Sequence, residues 1–450
     1  MLKNPGKDNI AEVVKIAAPC VTEQMLIVLV GMVSVSIIGH LGSDELVASS
    51  MTNQLVTWVQ CLFLGLSSGA TVVIARMCGD GDADGIRKGF NQYFLLSIVL
   101  SVFGVAAMLI FQDKITQIFF GNAEKHVLDI IHTYFSYNIL TMPATAVTDI
   151  INGSVRGVGD NKTPLYSRLM VNLTNIILCY TLVNGAAWLD VMPMGIHGAG
   201  IAILCARYAN MIFTITWVLA KKSPILPKKF SFHFEKALLQ RMLRISIPSA
   251  LEQVIFQGGF VILQTLLIGF GTQFQGGYQI GGNINGLINA PVLGVNVAMT
   301  VLISQALGKA DPDRAEKLVG VSRFLVFTVF TALGVLLFFA APFITRFYTP
   351  DSELLRNGTF FARMYGLLVI PLAYLQSMGG VLRGSGDVRY VALTSIATLW
   401  IMRIFGVWIL ARLFGNGYVA VTVGISADYV FRALAFHIRV QRGGWKYIRV

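Results

Sequence analysis

The chain repeats itself. GLSSGATVVIARMCGDGDAD, residues 65–84, returns in register as GVNVAMTVLISQALGKADPD, residues 294–313. Gly65 falls on Gly294, Thr71 on Thr300, Ile74 on Ile303, Gly79 on Gly308 and Asp82 on Asp311, an offset of 229 (294 − 65). Self-similarity at one fixed offset marks two copies of one structural unit. Lys15-Ile16-Ala17-Ala18-Pro19 with Glu23-Gln24 is answered by Arg244-Ile245-Ser246-Ile247-Pro248 with Glu252-Gln253 at the same offset. Arg156-Gly157-Val158-Gly159-Asp160 is answered by Arg383-Gly384-Ser385-Gly386-Asp387 at 227 (383 − 156), an RGxGD corner in each half.

Both copies are long apolar runs ending in short polar loops. The 450 residues are 55% hydrophobic and 13% charged, and a soluble chain carries roughly a quarter charged residues. Apolar runs of this length read as membrane spans. Twelve helices are expected, near residues 13–39, 48–77, 90–111, 127–153, 165–184 and 196–220, then 245–269, 278–307, 324–347, 354–382, 391–411 and 418–440. The expected fold is all-α and polytopic, with two six-helix lobes related by a parallel repeat. The lobes are expected at 1–220 and 245–450, joined by a basic cytoplasmic linker, 221–244, amphipathic from Phe234 to Leu243. An even number of spans per half keeps both copies in one orientation, an arrangement typical of transporters with a site between the halves.

A net charge of +12 raises the question of nucleic acid, and the placement of the charges answers it. About 26 of the 35 Lys and Arg fall on one set of loops and termini. About five (Lys114, Lys125, Arg346, Arg356, Arg412) fall on the other, and about four (Arg207, Arg363, Arg403, Arg432) within helices. That is the positive-inside pattern of a cell-membrane protein with both termini cytoplasmic. No nucleic-acid partner is expected. The polar start lacks a signal-peptide core, so the first apolar run is expected to remain as a helix. The five Cys and six His are scattered, without metal-ligand spacing or a disulfide framework. No phosphate-binding loop or catalytic constellation is present; GVGDNKTP is not GxxxxGK[ST]. No cofactor and no enzymatic activity are expected.

The six-plus-six repeat resembles the multidrug and toxic compound extrusion (MATE) transporters. So do the ends of helices 2 and 8, the paired RGxGD corners and the GIHGAGIAIL start of helix 6. The resemblance runs over residues 12–445. It implies a central cavity, alternating access, and export of organic, often cationic, compounds on a proton or sodium gradient. Family patterns place acids in helices 1, 5 and 10. Here those positions hold Ser34, five before Gly39; Cys179, four after Asn175; and Leu372, eleven before Arg383. A flippase of lipid-linked precursors and an uncoupled MATE-like facilitator are the alternatives.

Ionised groups in hydrocarbon are costly and point to function or to pairing. Glu23 and Glu252, each four residues after a proline, are the paired candidates for the coupling ion or a substrate cation; the structural alternative is bonding to backbone freed by the proline. Asp149, with no base three or four residues away, could pair with Arg207 or Arg403 or act as a third cavity acid. Asp428 and Arg432 have the spacing of an ion pair on one helix face. Arg403 needs an acid partner or an anionic ligand. Cavity-lining candidates are Gln24, Gln253, Ser34, Asn172, Asn175, Asn285 and Asn289, the last two sharing a helix face with Asn296. The partners expected are a small-molecule substrate and the lipid bilayer, with the protein acting as a single copy.

Overall fold

A computed structural model describes residues 7–39, 43–120, 125–185, 192–348 and 351–448, which are helical nearly throughout. They form twelve helical rods. In the first half these are α1 (Lys7–Gly39), α2 (Ser43–Asp80), α3 (Ala83–Phe120), α4 (Lys125–Leu140 continued by Met142–Gly157), α5 (Lys162–Asn184) and α6 (Gly195–Ala220). In the second they are α7 (Lys236–Ile268), α8 (Thr272–Gly308), α9 (Pro312–Arg346), α10 (Ser352–Ser385), α11 (Val388–Phe414) and α12 (Gly417–Gln441). Among the described residues, nine helices are long and apolar enough to cross a membrane. α4 breaks only at Thr141, ahead of Pro143, which lacks the amide to continue the ladder. α9 and α11 contain π-helical stretches at Val326–Phe330 and Leu399–Phe405.

The helices outrun the apolar segments. α3 begins seven residues before the expected Phe90 and ends nine after the expected Phe111, because a helix ends where its hydrogen-bond ladder is capped and not where hydropathy falls. For the same reason the amphipathic part of the expected linker is the opening of α7, which starts at Lys236. The irregular remainder is strapped to α3: Asn91 Nδ2 donates to the Ser231 carbonyl at 2.7 Å and Gln92 Nε2 to the His233 carbonyl at 2.8 Å. Pro291 sits inside α8 without interrupting it.

The chain divides into two compact units that cut across its linear halves. One comprises residues 1–25, 79–81 and 251–450; the other comprises 26–78 and 82–250. The division falls inside α1 and inside α7. The repeated glycines show why. A Cβ on Gly294 of α8 would lie 2.6 Å from the Val21 nitrogen of α1, and one on Gly65 of α2 would strike the Ala250 backbone of α7. Val21 and Ala250 are themselves 229 apart, so each half lends the start of its first helix to the other half's second helix.

Within each unit the second and fourth helices of the repeat form the packed centre. Of the most apolar stretch, 72% is buried in α2, 67% in α8 and 72% in α10, against 17% in α3 and 28% in α9. Glycine permits the contact: a Cβ on Gly380 of α10 would lie 2.5 Å from the Asn296 carbonyl of α8. Backbones this close are held by side-chain bonds across helices, which replace the hydrophobic drive absent in lipid. Thr300 Oγ1 donates to the Gly380 carbonyl at 3.3 Å and Ser304 Oγ to the Gly384 carbonyl at 2.7 Å. In the other unit Thr71 Oγ1 donates to the Gly153 carbonyl at 2.9 Å.

Gly380→Ala should therefore destabilise the protein by about 1–3 kcal/mol through overpacking. Gly320→Ala, where a Cβ meets nothing within 4 Å, should leave the thermal unfolding midpoint in detergent unchanged or raise it. Equal midpoints for the two variants would contradict this account of the contact.

Candidate functional site

The RGxGD corners end α4 and α10 in the same way. Gly159 and Gly386 take φ of 89° and 95°, a left-handed conformation that suits glycine. The Asp160 amide reaches back to the Val155 carbonyl at 2.9 Å and the Asp387 amide to the Leu382 carbonyl at 2.9 Å, the closing bond of a Schellman turn. Each corner aspartate then meets a base from the sixth helix of its repeat or just beyond it. Lys221 Nζ lies 3.1 Å from Asp160 and Arg439 Nε 2.7 Å from Asp387. Burial alone would raise the Asp160 carboxyl. Hydrogen bonds from the Thr163 hydroxyl and amide and from Lys221 outweigh it and hold the group below its usual value.

The second corner also fixes a candidate acid. Glu252 on α7 is buried, and Arg383 Nη2 donates to its Oε1 at 2.8 Å. The carboxylate read as a candidate for the coupling ion or a substrate cation thus sits on the arginine that ends α10. Glu23, its repeat mate on α1, is 1% exposed and belongs to the same compact unit. Gln24 is half-buried and Gln253 exposed.

Asp149 on α4 is buried and faces Arg168 of α5, with Nη2 3.4 Å away. This replaces the expected pairing with Arg207 or Arg403. α5 starts at Lys162, so Arg168 lies within it, opposite Asp149 of α4. Arg207 stays within electrostatic reach of both. The Asp149 carbonyl accepts from Ser67 Oγ at 2.6 Å. In the second repeat the Gln376 carbonyl accepts from Asn296 Nδ2 at 2.6 Å. Ser67 and Asn296 are repeat mates, as are Asp149 and Gln376, so the repeat keeps the bond but not the charge.

The amide candidates divide. Asn285 and Asn289, one turn apart on α8, each hold a buried Oδ1 that makes no hydrogen bond, and so does the Asn172 Nδ2 on α5. These are two buried acceptors and one buried donor without a hydrogen bond. Asn175 is half-buried. Ser34 lies on α1, but its side chain is outside the described residues. Asn296, read from sequence as one face with Asn285 and Asn289, is committed to α10.

A cluster that the sequence indicated only in pieces lies in the second unit. Asp428 on α12 pairs with Arg432 one turn on, as its spacing predicted, and also with Arg403 on the π-helical stretch of α11, 2.8 Å away. All three are buried. Arg403 lies over the rings of Phe260 and Tyr429, 5.5 and 5.0 Å away, and Arg432 lies over Phe256 at 4.8 Å. Tyr278 and Tyr365 lie within electrostatic reach of Arg403. Two guanidinium groups and one carboxylate leave a buried excess of one positive charge, softened by aromatic faces. No group of three or more His, Cys, Asp or Glu suited to a metal occurs among the described residues.

The MatE family model matches the chain twice, over residues 19–181 and 248–409. The chain is similar to a probable multidrug resistance protein NorM of Thermotoga maritima, 24% identical over 97% of this chain and 93% of that one. It is also similar to an FAD transporter of Shewanella oneidensis, 23% identical over 75% and 73%. Among solved structures, an outward-facing multidrug resistance MATE family transporter of the MOP superfamily superposes with a TM-score of 0.89, at 19% identity and covering 98% and 97% of the two chains.

Asp160→Asn should lower the thermal unfolding midpoint at neutral pH. A depressed folded-state pKa stabilises above the unfolded value and loses that contribution as pH falls through the folded one. The gap between wild type and variant should therefore shrink below about pH 4. A gap that persists or widens on acidification would contradict the Lys221 and Thr163 assignment.

Proposed function

Because the chain belongs to the MatE family of membrane transporters, we propose that it is a secondary active exporter of organic compounds, working by alternating access on a proton or sodium gradient. Transport of a small molecule across the bilayer follows from family membership. Export, coupling and orientation are the proposal. The basic excess on one set of loops supports cytoplasmic termini, and no observation calls for more than one copy.

The observation that carries the coupling is Glu252 against Arg383. A carboxylate buried within a helix bundle binds a proton or small cation at the expense of its existing partner. Neutralising Glu252 would loosen its 2.8 Å contact with Arg383, so ion binding would act mechanically on the end of α10. Glu23, its mate in the repeat, offers a second carboxylate in the same unit. The acids that family patterns place in helices 1, 5 and 10 are replaced here by Ser34, Cys179 and Leu372, which leaves Glu23, Glu252 and Asp149 as the acids for this role.

The test is efflux of an organic cation from proteoliposomes under separately imposed pH and sodium gradients. One gradient should drive the wild type. Glu23→Gln/Glu252→Gln should reduce driven efflux at least about tenfold, more than 1.4 kcal/mol of coupling. Glu252→Gln alone leaves Arg383 unpaired and should cost about 3 kcal/mol of stability. Adding Arg383→Gln should restore stability without restoring coupling, separating the two roles. Efflux that no gradient drives would establish a facilitator instead.

A second reading concerns charge. The excess positive charge at Arg403, Asp428 and Arg432 favours an organic anion as cargo, and one relative is named for transport of FAD. An anionic dye transported faster than a cationic one, with the difference lost in Arg403→Gln, would favour this reading.

A further inference from the structure

A groove of about 780 Å³ opens among α9, α10 and α12, within one compact unit and towards the end of α10 remote from the RGxGD corner. Its walls are apolar, with Phe338 and Pro342 on α9 and Leu355, Phe360 and Leu367 on α10. Two arginines stand among them. Arg356 and Arg363 are seven residues apart, two turns along one face of α10, so their attachment points differ in depth by about 10 Å.

Neither arginine makes an ion pair among the described residues. Their neighbours in this unit do: Arg383, Arg403, Arg432 and Arg439 each meet a carboxylate. Asp351, at the start of α10, caps the helix, its Oδ1 accepting from the Glu353 and Leu354 amides. Arg363 lies over the Phe338 ring at 5.4 Å, which covers one face of the guanidinium and leaves its edge donors open, the fork that suits a phosphate. Across the groove, Thr422 lines the wall with a buried Oγ1 that has no hydrogen-bond partner.

The surface around the groove belongs to hydrocarbon. Leu336, Phe339 and Phe343 on α9 and Leu367 on α10 are each at least 65% exposed, and such a surface on a membrane-spanning helix pair faces lipid. A bare arginine there needs either water or an anion that arrives with its own apolar body. We propose that this groove binds an anionic phospholipid from the bilayer leaflet on the base-poor side. The phosphate bridges Arg356 and Arg363 and accepts from Thr422. The upper acyl chain lies on Phe338, Pro342 and Leu367. The volume suits a headgroup and the first part of a chain; the remainder stays in the bilayer.

Native mass spectrometry of protein released from mixed phosphatidylglycerol and phosphatidylcholine nanodiscs tests this. The wild type should retain phosphatidylglycerol over phosphatidylcholine by about tenfold. Arg356→Gln/Arg363→Gln should abolish that preference, and Arg412→Gln, an exposed base on the same side, should leave it intact. Arg356→Lys/Arg363→Lys keeps the charge and loses the fork, so it should hold an intermediate preference; it also serves if the glutamine pair does not fold. No preference in the wild type would overturn the proposal, as would equal loss in Arg412→Gln. So would displacement of the lipid by millimolar inorganic phosphate, which would mark a site for the free anion.

Discussion

Backbone-to-backbone contact at glycine is the constraint on which the structure depends. In lipid, apolar side chains gain little by touching one another, so helices associate where small residues let polar backbone groups approach. Gly380 against Asn296 and Gly153 against Ser67 set the α8–α10 and α2–α4 contacts. The hydroxyls of Thr300 and Thr71 then bond across those contacts. These paired helices are the most buried, and α3 and α9 mostly face outward.

The same device explains why the compact units are not the halves of the sequence. Gly65 and Gly294 each receive the opening of the other half's first helix, at Ala250 and Val21. α1 and α7 therefore each change unit partway along, near Met25 and Ala250. The buried candidate acids Glu23 and Glu252 lie within two residues of those change points.

Electrostatics within the units follows a consistent economy. A buried charge is tolerated when a partner takes its field, and Arg168–Asp149, Arg383–Glu252 and Arg403–Asp428–Arg432 show three solutions. The first two are single pairs. The third leaves a positive excess that ring faces soften, with the Thr398 hydroxyl accepting from Arg432 Nε at 3.0 Å. Arg356 and Arg363 lie outside this pattern, on a face where lipid is the solvent.

Much of the fold was legible in the sequence. The 229-residue offset predicted the repeat, the apolar runs predicted twelve helices, and the paired RGxGD segments marked a loop in each half; the left-handed Gly159 and Gly386 that turn those loops came from the structure. The pairing of Asp428 with Arg432 followed from one turn of helix. These features are periodic or local, and local rules read them. Arg168 opposite Asp149, Arg383 on Glu252 and the buried lone acceptors of Asn285 and Asn289 were not legible. Each depends on which helix lies alongside, and on a rotation and depth that composition does not encode. The sequence by itself determined the spans, the repeat and the acids available. Only the tertiary structure decided which acids are held by which arginines, and that the openings of α1 and α7 pack across the repeat, because close approach at a glycine is a property of two helices together.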